Sequence, residues 1–229
     1  MLKSGLLVVV LSISVVNITR VSGAKRCPSG REEGIYKINR TGMDLFEVPC
    51  NRDGWMIIQR RQDGSVDFNR TWQDYKNGFG NLKGEFFLGL EKLHQLTKKP
   101  QELYVKLVDF QGNSRYATFD NFEVGSEEEL YVLKSVGSYY GNAGDALSSH
   151  VNKKFSTAER DNDNSVINCA SYNSGGWWFD DCLESSLNGK YIKSHNRQHN
   201  RGIHWTPWHN YYNSLAFVEM MIRPKYYYL

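Results

Sequence analysis

The sequence has 229 residues, 40% hydrophobic and 14% aromatic, with a formal net charge of +3. That composition suits one domain of roughly 200 residues with a sizeable core and excludes wholesale disorder. The even balance of Lys and Arg against Asp and Glu excludes a strongly basic nucleic-acid binder, and no Gly-X-Y run or long heptad series marks a stalk within it. Lys3 precedes an apolar stretch from Leu6 to Val16, and Val21-Ser22-Gly23-Ala24 supplies small residues at a cleavage point. This pattern predicts a secretory signal peptide over residues 1–24, cut near Ala24. A membrane anchor is disfavoured because the apolar run is too short for a hydrocarbon core of about 30 Å. Loss of Lys3 and Arg20 leaves residues 25–229 with a net charge of +1.

Secretion makes the cysteines legible. Cys27, Cys50, Cys169 and Cys182 remain, and four cysteines allow about three connectivities. Cys27–Cys50 and Cys169–Cys182 is the economical pairing, each closing a short loop worth ~3 kcal/mol. An intracellular zinc site lacks the Cys-x-x-Cys spacing. No cysteine is left for a covalent dimer, so any homo-oligomer is non-covalent. Two sequons, Asn39-Arg40-Thr41 and Asn69-Arg70-Thr71, predict surface glycans on Asn39 and Asn69.

In sequence order, Trp55 to Arg61 reads as a strand ending in a turn at Asp63-Gly64. Glu85 to Leu96 reads as a helix with Phe86, Leu90 and Leu93 on one face. Leu103 to Phe110 and Arg115 to Phe119 read as a hairpin around Gln111-Gly112-Asn113. Tyr131 to Val136 is strand-like, and Ala216, Val218, Met220 and Ile222 alternate along a last strand before Pro224. Between His150 and Asn213 the sequence is rich in Asn, Asp, Gly, Ser, Trp and Tyr and lacks regular periodicity, the mark of a functional loop region. Helix and strand do not alternate cleanly, so the predicted class is α+β.

Asp161-Asn162-Asp163-Asn164-Ser165-Val166-Ile167 is the sharpest chemical signal. Carboxylates two apart in an irregular loop can turn onto one cation, and the carbonyls of Ser165 and Ile167 can add to the roughly six to eight oxygens that Ca²⁺ takes. The turn glycine and closing Glu of an EF-hand are missing, and a solvated acidic turn is the plainer alternative. Tyr172, Trp177, Trp178, Trp205, Trp208, Tyr211 and Tyr212 surround the second cysteine pair. They either wall a pocket or form the core of a loop-rich unit, and the Trp residues are expected in the core. His195, His199, His204 and His209 cluster without the Glu of a zinc protease motif. No G-x-S-x-G, P-loop or free thiol is present, and Asp161, Asp163 and Asp180 are the sole glycosidase-like set, so no enzyme is expected.

Several motifs then resemble one family in the right order: Gln59-Arg60-Arg61-Gln62-Asp63-Gly64-Ser65, Phe68-Asn69-Arg70-Thr71-Trp72, Tyr75-Lys76-Asn77-Gly78-Phe79-Gly80, Ala143-Gly144-Asp145, Asn168-Cys169-Ala170, Trp177-Trp178 and Gly202-Ile203-His204-Trp205. Together they resemble the fibrinogen C-terminal domain over nearly all of residues 25–229. The resemblance implies three subdomains, roughly 25–59, 60–129 and 130–229: a disulfide-closed N-terminal piece, a central antiparallel sheet with short helices, and a loop-rich piece carrying calcium and ligand sites. It places calcium ligands on Asp161, Asp163, Ser165 and Ile167 and a cis peptide at Asp181–Cys182. The family's acetyl pocket, built of three tyrosines, an alanine and a His, falls on Asn173, His199, Asn200, Tyr211 and Leu183. Tyr211 alone keeps its family identity, so the position of the pocket carries over better than its specificity. The resulting expectation is a secreted calcium-binding lectin for extracellular glycans or acetylated groups in innate defence. The alternative is an angiopoietin-like signalling or adhesion ligand for a protein receptor.

Overall fold

The computed structural model describes residues 23–193, 202–209 and 214–225. A ten-stranded antiparallel sheet dominates it. Its main path runs β1 (Gly34–Ile38), β2 (Phe46–Cys50), β3 (Met56–Arg61), β12 (Phe217–Pro224), β6 (Gln101–Val108), β7 (Ser114–Val124) and β8 (Leu133–Ser135). β4 (Phe79–Gly80) and β5 (Phe86–Phe87) attach through β3, and β9 (Tyr139–Gly141) pairs with β7. A separate two-stranded ribbon joins β10 (Ser185–Ser186) to β11 (His204–Trp205). The fold class is α+β, as the irregular order of helix and strand signals indicates.

Alternation explains the central strands. In β6, Gln101, Leu103, Val105 and Leu107 are buried while Glu102, Tyr104, Lys106 and Val108 face outward, the pattern of a sheet with one covered face. The last strand, β12, pairs with β6 along its whole length and with β3 over Val218–Ile222, so it lies between them. It comes from the third predicted segment and joins the first to the second, so the sheet runs across the predicted subdomain limits. The register with β3 shifts between Met220 and Met221, and both methionines are buried.

One expected element is corrected. Glu85 to Leu96 is not a single helix: Phe86–Phe87 form β5 against Gln59 and Arg60, and the helix α2 spans Leu90–Thr97. The divider is Gly89, at φ 116°, where an added Cβ would lie 2.7 Å from the carbonyl oxygen of Asn77. Helix α1 (Trp72–Asn77) is an addition to the expected elements, and Thr71 and Asp74 form a reciprocal capping box at its start. It turns Trp72 and Tyr75 inward onto an aromatic cluster with Phe79, Phe87, Phe155 and Trp178, with ring centroids 5–6 Å apart. This cluster is the seam between the sheet with its helices and the loop-rich region.

A buried ion pair fixes the same seam. Glu85 and Arg61 are 0% and 1% exposed, and Arg61 Nε lies 3.6 Å from Glu85 Oε1, too far for a hydrogen bond. The Glu85 carboxylate instead accepts four backbone N–H groups, from Gln62, Asp63, Gly64 and Val66, at 2.8–3.1 Å. Arg61 donates to the carbonyls of Leu187 and Gly189 and packs over the Phe68 ring at 3.8 Å. The pair thus holds the turn after β3 and ties the sheet to the C-terminal loops.

Candidate functional site

Trp177, Trp178 and Trp205 are fully buried, as their clustering suggests. They anchor loops rather than wall a cleft: Trp178 Nε1 donates to the Tyr131 carbonyl at 2.7 Å and Trp205 Nε1 to that of Gly144 at 2.9 Å. Tyr75 reaches across the seam, its hydroxyl accepting from Gly176 N at 3.0 Å and donating to the Phe68 carbonyl. On this base sit two loops that meet, 161–168 and 180–184.

The first loop is folded by its own carboxylates. Asp161 Oδ1 accepts from Asp163 N at 3.2 Å, and the Asp163 carboxylate accepts from Ser165 N and Cys169 N at 2.9 Å each. Asn168 then caps the short helix α3 (Cys169–Asn173). Burial first, and then the Asp161 carboxyl beside it, push Asp163 above its ordinary value, against backbone N–H groups that pull it down. Two carboxylates crowded together with nearby carbonyls make a hard-oxygen donor set that fits Ca²⁺. Among the described residues no three His, Cys, Asp or Glu side chains converge as a zinc-type centre would require.

The second loop carries a cis peptide between Asp181 and Cys182. Cys182 is joined to Cys169, and Cys27 to Cys50, and no described cysteine is free. Ser165 Oγ donates to Asp181 Oδ1 at 2.5 Å and Asn164 Nδ2 to Asp180 Oδ1 at 2.7 Å, so the two loops share their polar contacts. Lys153 pairs with Asp180 at 2.8 Å and holds its carboxyl below the usual range. A cavity of about 250 Å³ opens here, lined by Ser149, His150, Asp180, Asp181, Cys182, Leu183 and Glu184.

His150, which belongs to no motif of the sequence, supports this wall. It is 1% exposed, and its Nδ1 sits 2.6 Å from the Trp178 carbonyl. That contact makes Nδ1 the protonated nitrogen, and Nε2 accepts from Ser185 N at 3.1 Å and more weakly from Glu184 N at 3.3 Å. Burial lowers its pKa to about 4, so the ring is neutral near pH 7.

Of the expected pocket residues, Asp181, Cys182 and Leu183 line the cavity. Asn173 does not reach the surface: it is 1% exposed and its Nδ2 donates within α3 to the Cys169 carbonyl. His199, Asn200 and Tyr211 lie outside the described residues, as do His195, Tyr212 and the apolar stretch expected to be a signal peptide. The surface around the cavity is instead marked by exposed apolar side chains on the adjoining loop and helix. Val166 is fully exposed, Ile167 48% and Tyr172 39%.

The family described as the C-terminal globular domain of the fibrinogen beta and gamma chains matches residues 24–225. The protein belongs to this family.

Relatives of this fibrinogen C-terminal domain include mouse angiopoietin-related protein 7, 44% identical over 204 residues, which covers 85% of this sequence and 60% of the relative. Human fibrinogen-like protein 1 is 44% identical over 212 residues, 84% of this sequence and 68% of that protein. Fibrinogen C domain-containing protein 1 of Xenopus tropicalis is 39% identical over 206 residues, 85% of this sequence and 45% of the relative. The sequence therefore spans about half to two thirds of the length of the curated relatives it matches. Among solved structures, the fibrinogen-like globe domain of human ANGPTL6 superposes with a TM-score of 0.81 at 42% identity, covering 84% of this protein and 89% of that one. Lamprey fibrin D-dimer, complexed with a Gly-His-Arg-Pro-amide peptide, superposes with a TM-score of 0.82 at 34% identity, covering 87% and 71%.

Proposed function

We propose that this fibrinogen C-terminal domain is a secreted, non-enzymatic recognition module that binds a protein receptor through the face formed by loops 161–168 and 180–184. The observation that carries this reading is the apolar set Val166, Ile167 and Tyr172, left exposed on a loop and helix tied to Asp181 through Ser165. Exposed apolar groups rimmed by charge suit a protein surface. Among the described residues the small cavity is walled by carboxylates, Ser149, His150, Cys182 and Leu183, with no Trp, Tyr or Phe side chain. The relatives at 44% identity include angiopoietin-related and fibrinogen-like proteins, which fits the receptor reading at least as well as a lectin. No helix among the described residues is long and apolar enough to cross a membrane. Asp180, held ionised by Lys153, is unsuited to be the raised-pKa acid of a glycosidase.

Labelled protein binding to receptor-bearing cells tests the reading. Protease treatment of the cells is expected to abolish binding, and Val166→Asp to weaken it about tenfold, or ~1.4 kcal/mol. Competition by acetate, N-acetylglucosamine or polyhydroxylated sugars would favour the lectin instead.

Calcium belongs to the same proposal. The Asp161 and Asp163 carboxylates and the Ser165 and Ile167 carbonyls would hold the ion and brace the face. At tenfold excess over Kd the stabilisation is about 1.4 kcal/mol. The calcium-dependent rise in Tm is expected in the wild-type protein and absent in Asp161→Ala. A wild-type Tm indifferent to chelation would remove the metal from the account.

A further inference from the structure

The turn between β1 and β2 and the end of α2 enclose a second cavity, of about 560 Å³. Among the described residues Lys25, Arg40, Lys98 and Lys99 line it, and no carboxylate does. Residues 25–229 carry a net charge of only +1, so four cations around one cavity depart from an even spread. The backbone holds Arg40 and Lys98 in place. Met43 N donates to the Arg40 carbonyl at 3.1 Å and closes the turn bearing Arg40. Lys98 caps α2, and its ammonium donates to Gln95 Oε1 at 2.8 Å.

Three carboxylates on α2, β6 and β7 are engaged elsewhere. Glu91 accepts from Gln95 and Tyr131, Glu102 pairs with Arg223, and Asp120 with Lys225. Lys25, Lys98 and Lys99 form no ion pair among the described residues. Like charges gathered in this way attract an anion, and their spread over three segments of the backbone suits several anionic groups on one extended molecule better than a single small one. None of the large exposed apolar side chains lines the cavity, which leaves nothing to insert into a lipid surface.

We propose that this cavity binds a sulfated polysaccharide, with Arg40 and the three lysines contacting successive sulfates. It is separate from the face assigned to the receptor and does not depend on that reading. Asn39, whose sequon lines the same cavity, would carry its glycan at the rim.

The test is retention of the full-length protein on immobilised heparin across a salt series. The wild type is expected to bind at physiological salt. Lys98→Ala/Lys99→Ala changes two exposed side chains, so its Tm should stay put while affinity falls about tenfold. The plot of log K against log salt should become shallower by about two, one counterion for each lysine removed. Asn39→Gln removes the sequon but no charge and is expected to bind as tightly as wild type or tighter. Equal retention of the wild type and the lysine pair would overturn the proposal. So would a loss in Asn39→Gln as large as that of the lysine pair, or binding to phosphatidylinositol bisphosphate vesicles without binding to heparin.

Discussion

Replacing Glu85 by Ala is expected to cost about 3–5 kcal/mol, the range for breaking a buried charge pair. For a domain of this size that lowers Tm by roughly 10 °C or more. Two losses combine. Arg61 keeps its charge in a site that is 1% exposed, and the N–H groups of Gln62, Asp63, Gly64 and Val66 lose their shared acceptor. The second loss makes this pair unusual. Replacing both members of a buried ion pair by apolar residues is often harmless, because the charges vanish together. Here an Arg61→Met/Glu85→Leu double variant is expected to remain well below the wild type, since four backbone donors are still stranded. Denaturant unfolding of the wild type, the single and the double variants measures both effects. A double variant as stable as the wild type would show that the carboxylate matters only as a counter-charge.

The second large effect is a dependence of stability on pH through His150. Its folded pKa of about 4 lies below the ordinary value of 6.5. Between those two values the unfolded state binds the extra proton, so stability falls as the solution is acidified. The slope is about 1.4 kcal/mol per pH unit, and the loss reaches about 3 kcal/mol by pH 4. Above pH 6.5 the contribution is fully present. Protonation also places a hydrogen on Nε2 where Glu184 and Ser185 already aim theirs, so the cavity wall should loosen over the same interval. Stability curves for the wild type and His150→Gln, compared from pH 4 to 7.5, isolate this residue from other titrating groups. Parallel curves would mean that His150 is not held neutral by the fold.

The contrast between these two residues and the rest shows what a sequence can reveal. Strands β6, β7 and β12 are legible because alternation is a local property, written every second residue. The loop 161–167 is legible because its carboxylates are neighbours in sequence, and its first contacts are with the backbone next to them. The boundary of α2 is hidden because Phe86 fits a helical face as well as a strand, and pairing with β3 decides between them. Helix α1 leaves a usable sign in Thr71-Trp72-Gln73-Asp74, a capping pattern with Asp in place of the commoner Glu. Glu85 and His150 leave none. Their partners are 19 to 35 residues away, and their roles exist only after those segments have been brought together.

The central position of β12 has a consequence for biosynthesis. The hairpin of β6 and β7 can form as soon as it emerges, but β3 has no neighbour on that side until residues 217–224 are made. At about 5–20 residues per second, the exposed flanks of β3 and β6 wait on the order of ten seconds. Those flanks include unpaired backbone edges and the side chains of Ile57, Leu103 and Val105, which end up buried. The sheet is therefore completed by the insertion of a late-made strand between two edges that have stood open.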